Sequence, residues 1–115
     1  MILKKIFRLQ YEFQIQLGNK KYINFKNIKS KNNINILKDQ LLGLIVEASE
    51  ALQELPWKSW KQNQLFSISK FKIELIDILH FLINLFIFTG MNEKEVFYIF
   101  KIKNKINKER QKNGY

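Results

Sequence analysis

The chain contains no cysteine. Disulfides and thiolate metal sites are therefore excluded, and the composition suits a reducing compartment, so a cytoplasmic location is expected. One proline and four glycines in 115 residues leave few breakers in the way of long helices. The most apolar stretch, Ile73 to Phe88, is shorter than a bilayer span and carries Glu74, Asp77, His80 and Asn84. It reads as a buried helix, and no membrane partner is expected. The opening MILKKIFRLQ lacks the long apolar core and the small-residue cleavage site of a secretory signal.

Acidic residues are also scarce. Ten of them face 20 Lys and Arg, for a net charge of +10, which favours phosphorylated or polyanionic partners. The chain is rich in Lys, Asn, Ile and Phe, as an A/T-biased coding sequence would produce, so part of that charge reflects composition and not function. Hydrophobic residues make up 46%, enough for the core of one domain over residues 1–115. A domain this small leaves much apolar surface unburied, and oligomerisation is the usual remedy.

Four helical segments stand out. The first runs from about Leu3 to Leu17, with Ile6, Phe13 and Leu17 near helical spacing and Gly18 as a stop. Asn19 to Asn35 is Asn- and Lys-rich and reads as a loop with a short turn of helix. The second helix spans about Ile36 to Leu55, with an apolar face that includes Leu37, Leu41, Ile45, Leu52 and Leu55, and it ends at Pro56. A connector, WKSWKQNQ, follows. The third helix covers about Ser69 to Thr89, capped by Ser67 or Ser69 and ended by Gly90. The fourth starts at Asn92, with Glu95 three residues on in a capping-box pattern, and runs to about Lys112. Four helices with short links predict a small antiparallel all-α bundle.

On the second helix Gln40, Gly43, Glu47, Glu50 and Glu54 are spaced 3, 4, 3 and 4, one line along the helix. A lone pair such as Glu47 and Glu50 is most often a solvated acidic face. The third helix changes the balance. Glu74, Asp77, His80 and Asn84 form a single polar stripe through an otherwise apolar helix. Burying ionised carboxylates is costly unless a cation pairs with them. Two facing stripes would present three Glu and one Asp to one space, and a hard divalent cation with oxygen ligands, Mg²⁺, resolves their repulsion. On the fourth helix Lys103, Asn107 and Arg110 lie on one line, suited to phosphate, although the segment alone reads more readily as a solvated basic face.

In order, EASE (47–50), PWKSWK (56–61), IELIDILHF (73–81) and KNKINKERQKNGY (103–115) resemble the dimeric dUTPases of the all-α NTP pyrophosphatase superfamily, which also holds the MazG-like enzymes. ExxE and ExxD alone point only to the superfamily. The Trp–Lys connector, the His after the Asp and the terminal motif point to dUTPase. The resemblance implies a dUTP diphosphatase, or a related pyrophosphohydrolase, that makes dUMP and pyrophosphate as a homodimer or higher homo-oligomer. It implies Glu47, Glu50, Glu74 and Asp77 as ligands of Mg²⁺, with Glu50 also orienting the attacking water as the catalytic residue. Lys58, Lys61, Lys103, Asn107, Arg110 and Tyr115 would contact phosphates. Trp57, Trp60, His80 and Asn84 would line the nucleoside pocket, and Gln14 and Asn19 would read the base. Members of the family generally carry further helical sequence before the terminal motif, whereas here 25 residues separate Asp77 from Lys103.

Two readings compete. A MazG-like enzyme acting on other nucleoside triphosphates shares the metal site and differs in the pocket. A basic helical nucleic-acid-binding protein fits the charge but gives no reason for four carboxylates on two apolar helices. Nucleic acid is therefore not expected as the partner.

Overall fold

The computed structural model describes residues 1–23 and 30–114. Its elements are α1 (Ile2–Gln16), a 3₁₀ turn (Lys20–Tyr22), α2 (Lys31–Gln53), α3 (Ile68–Phe88) and α4 (Glu93–Lys112), an all-α bundle with no strand among the described residues. None of its helices is long and apolar enough to cross a membrane.

Three helix starts are set by side-chain caps. Ser30 Oγ accepts from the Asn33 amide at 3.2 Å, Ser67 Oγ from Lys70 at 3.4 Å, and Asn92 Oδ1 from Glu95 at 2.9 Å. Each such cap satisfies an amide that the helix itself leaves unpaired. The first corrects the sequence reading, because α2 begins at Lys31 and not near Ile36. Its first turn is rich in Asn, a weak helix former. The Ser30 cap, worth about 1 kcal/mol, and the long apolar helix behind it carry those residues into helical geometry.

The core is small. Phe7, Ile83, Ile87 and Phe88 are buried together, with Leu3, Ile6, Ile36, Leu37 and Leu79 packed around them. Phe7 stacks on Phe86 with ring centres 6.2 Å apart. The inward residues of α1 are Phe7, Gln10 and Gln14, whereas Phe13 and Leu17, two of the apolar residues noted at helical spacing, are about half exposed. The apolar face expected on α2 is also largely open, since Leu41 and Ile45 are exposed and only Ala51 is fully buried.

Helices α2 and α3 pack along one another. Gln40 meets Asn84, Gly43 meets Phe81 and Glu47 lies beside Glu74, so numbers rise on one helix as they fall on the other and the pair is antiparallel. Gly43 permits this close approach, because a Cβ there would overlap the Phe81 ring. Helix α1 leans on α3, and α4 touches chiefly α1.

Candidate metal and nucleotide site

The antiparallel pair brings the last turns of α2 against the first turns of α3. Glu47, Glu50 and Glu74 each turn an oxygen into one space, and these oxygens lie within 4.8 Å of one another. Glu47 and Glu74 are half-buried and Glu50 is exposed. Glu47 Oε2 and Glu74 Oε2 are both shielded from solvent without a hydrogen-bond partner. A buried carboxylate oxygen with no donor carries a desolvation cost that nothing nearby offsets.

The charges respond accordingly. Burial raises the pKa of Glu47 to about 7, helped by the adjacent Glu50 carboxyl and by the charges of Asp77 and Glu74. Burial also raises Glu74, and the charges of Glu50, Asp77 and Glu54 push in the same direction. Asp77 lies outside the triplet of close oxygens, yet it is near enough to act on both groups. The donors are all hard carboxylate oxygens, and two of the three residues also hold a buried oxygen that lacks any partner. That fits a hard divalent cation such as Mg²⁺.

The connector sits at the same end of the pair. Gln64 fastens it: its Oε1 accepts from the Lys58 amide at 3.1 Å, and its Nε2 donates to the carbonyls of Lys58 at 2.6 Å and Lys61 at 3.0 Å. Trp57 and Trp60 meet edge-to-face with ring centres 5.6 Å apart, and the Lys58 ammonium lies 5.8 Å from the Trp57 ring centre. The two lysines and two tryptophans therefore stand on one braced loop near the carboxylates. Sequence reasoning missed Gln64, whose partners are backbone atoms that no side-chain pattern announces.

Farther along α3 the polar stripe enters a buried chain of amides. Asn84 Oδ1 accepts from Gln10 Nε2 at 2.6 Å and from Gln14 Nε2 at 2.9 Å, while Asn84 Nδ2 donates to Gln40 Oε1 at 2.9 Å. Asn19 Nδ2 donates to Gln14 Oε1 at 2.8 Å. Gln10 Oε1 lies 2.8 Å from His80 Nδ1. Since Gln10 spends its amino group on Asn84, its oxygen faces the imidazole and accepts from Nδ1–H. The network thus joins four of the six expected nucleoside residues, Gln14, Asn19, His80 and Asn84, while Trp57 and Trp60 stand on the connector. It adds Gln10, which was missed, and gives a partner to Gln40, seen before only as a point on a line. Gln10 and Gln14 are one turn apart, a spacing that marks a shared face but resembles any surface glutamine pair. Beside this network, Gln10 and His80 border a mainly apolar cleft of about 230 Å³ between α1 and α3, walled by Ile6, Leu9, Ile76 and Leu79.

From Glu74 to Asn84 the stripe covers ten residues, roughly 15 Å at 1.5 Å per residue. That is on the order of the span of an extended nucleotide.

Lys103, Asn107 and Arg110 are exposed on α4. Lys103 borders a cleft with Phe86, Met91, Val96, Ile99 and Phe100, at the end of α3 opposite the carboxylates. The structure therefore does not bring the α4 line to the acidic cluster within one chain. Tyr115 lies outside the described residues.

Among known proteins, a dCTP pyrophosphatase of Enterobacteria phage T4 is 38% identical over 90 residues, covering 66% of this chain and 53% of its own length. A dCTP pyrophosphatase of Enterobacteria phage LZ5 is 38% identical over 71 residues, 51% of this chain and 41% of that protein. A DNA replication protein of phage T4 is 34% identical over 80 residues, covering 57% of this chain and 20% of itself. The chain thus spans about half the length, or less, of the curated relatives it matches. No solved structure matches it. A family model described as dUTPase matches residues 2–94, which hold both carboxylate pairs, the connector and the amide network, and the chain belongs to that all-α dUTPase family.

Proposed function

We propose that this chain is a pyrophosphohydrolase of pyrimidine deoxynucleoside triphosphates, with dUTP as substrate and dUMP and pyrophosphate as products. One observation carries the reading. A carboxylate cluster with partnerless buried oxygens and a buried amide network occupy the two ends of one polar stripe, about a nucleotide's length apart. Such an arrangement holds a phosphate-bound cation at one end and a base at the other.

A divalent cation such as Mg²⁺, held by Glu47, Glu50 and Glu74 with Asp77 alongside, would neutralise charge on the phosphate oxygens. Glu50 is the exposed member of the triplet, and thus the one able to take a proton from water at the rim. The water oxygen bonds to the α-phosphorus, the bridging P–O bond breaks, and pyrophosphate leaves. Lys58 and Lys61 on the braced connector offset its negative charge. Trp57 and Trp60 offer flat apolar faces to the nucleoside, and His80 and the amides orient it.

The relatives supply a second reading, since two are dCTP pyrophosphatases. Uracil accepts at its 4-position where cytosine donates. The group facing that position must therefore be a donor for one and an acceptor for the other, a mismatch that costs heavily in a buried site. A carboxamide can serve either base by rotating half a turn, so the orientation locked by neighbouring amides decides.

The test is pyrophosphate release from dUTP, dCTP, dTTP and UTP, with Mg²⁺ and with EDTA. The proposal predicts release from dUTP that EDTA abolishes. Release from dCTP alone favours the second reading, release from all four a MazG-like enzyme, and release from none removes the enzymatic reading.

A further inference from the structure

One row of α4 is basic along its whole length. At about 100° per residue, Lys94, Lys101, Lys105, Lys108 and Lys112 fall within about 60° of one another, in a strip roughly 27 Å long at 1.5 Å per residue. The strip lies on the other side of the helix from the line of Lys103, Asn107 and Arg110. All five lysines are exposed, and among the described residues none of them pairs with a carboxylate. The acids of the helix, Glu93, Glu95 and Glu109, stand off the strip. A biased composition supplies lysines but does not align them, and here five of the seven basic residues of α4 share about a sixth of its circumference.

Two aromatic rings flank the row. Phe97 and Tyr98 are exposed by 51% and 65%, one on each side of the row between Lys94 and Lys101. The Lys101 ammonium lies 5.5 Å from the Phe97 ring centre. Exposed rings of this size are unfavourable in water until a partner covers them. A row of cations with flat rings beside it matches a single-stranded nucleic acid, whose phosphates follow the cations while its bases stack on the rings. A duplex keeps its bases stacked inside and would leave the rings uncovered. A second copy of the same strip would set lysine against lysine.

The position keeps this surface apart from the acidic cluster. None of the 20 residues of α4 is buried, and the helix touches chiefly α1. Its early turns lie at the end of α3 opposite the carboxylates. A polyanion on the strip therefore avoids the charges of Glu47, Glu50 and Glu74, which would repel it. Nucleic acid gave no reason for the four carboxylates of α2 and α3, and the strip carries none of them.

We propose that the lysine row of α4, with Phe97 and Tyr98, is a sequence-tolerant binding surface for single-stranded nucleic acid, separate from the carboxylate site. The ammonium groups replace counter-ions along the phosphates, and the rings receive bases. Binding requires neither a metal ion nor nucleotide hydrolysis.

Fluorescence anisotropy of a labelled oligothymidylate tests this, with the whole chain titrated in EDTA at a series of salt concentrations. The wild type should bind, with the logarithm of affinity falling against the logarithm of salt by about 0.7 for each phosphate neutralised. Lys101→Gln, Lys105→Gln and Lys108→Gln together should flatten that slope by about 2 at unchanged helicity, since glutamine is as good a helix former as lysine. A control of equal charge, with Lys5→Gln, Lys20→Gln and Lys31→Gln, should keep the wild-type slope. Phe97→Ala with Tyr98→Ala should weaken binding by about 10-fold or more while keeping the slope. Hydrolysis of dUTP should be the same in all these variants. Binding by a wild type that hydrolyses no nucleotide supports the surface and removes only the enzymatic reading. Four results overturn the proposal: no binding, an equal loss in the control, equal affinity for a duplex, or adsorption to phosphatidylserine vesicles in place of the oligonucleotide.

Discussion

Glu47 and Glu74, on different helices, each turn a carboxylate oxygen into the same space, and each carries a solvent-shielded oxygen without a hydrogen-bond partner. The arrangement is unfavourable for two ionised groups and favourable around a cation, and several expectations follow from that asymmetry.

The first concerns pH. The folded-state pKa of Glu47 is raised from 4.5 to about 7, and that of Glu74 is raised too. The native state therefore binds protons more tightly than the unfolded chain. This contribution to stability is present in full below about 4.5 and is lost as pH rises through about 7. Metal-free wild type should lose stability relative to Glu47→Gln between pH 5 and 8, as read by urea midpoints of the two proteins across that range. Parallel pH profiles would contradict the shift. Divalent cations should reverse the trend, because they bind the deprotonated cluster.

The second concerns the amide network. Asn84→Ala strands two buried glutamine amides and removes the donor to Gln40. It should cost about 2–4 kcal/mol, measured by chemical denaturation. Asn107→Ala, on the exposed face of α4, should change stability by less than about 0.5 kcal/mol. Equal effects would deny the network its structural weight.

The third concerns helix approach. Gly43→Ala gains roughly 1 kcal/mol of helix propensity but forces the Phe81 ring aside. Overpacking of this kind costs about 1–3 kcal/mol, so a net loss of about 1 kcal/mol is expected. The additional Phe81→Leu should recover part of it in a double-mutant cycle, and a stabilised single variant would contradict the close packing.

Much of this was legible in the chain. The helix ends at Thr89 and Asn92 follow from Gly90 and the Asn92–Glu95 pair, both of them local signals. The carboxylate pairs were legible because a polar stripe through an apolar helix is rare unless something polar faces it. Gln10 and Gln64 were not, since one acts through Asn84, 74 residues away, and the other through backbone carbonyls. The apolar face of α2 misled for a related reason: it shows which residues avoid water, and not whether their cover comes from the same chain.

The fourth expectation concerns chemistry. Glu50→Gln and Asp77→Asn should each lower kcat by about 100-fold or more while the circular dichroism spectrum stays helical. Activity at the wild-type level in both variants would remove the two residues from the site.

Whether the carboxylate cluster holds a divalent cation is read most directly, and without any substrate, by Mn²⁺ binding followed by electron paramagnetic resonance. The wild type should deplete the free Mn²⁺ signal saturably, with competition by Mg²⁺, and Glu74→Gln should lose that binding while remaining folded. Identical titrations of the two proteins, or no binding by the wild type, would contradict it.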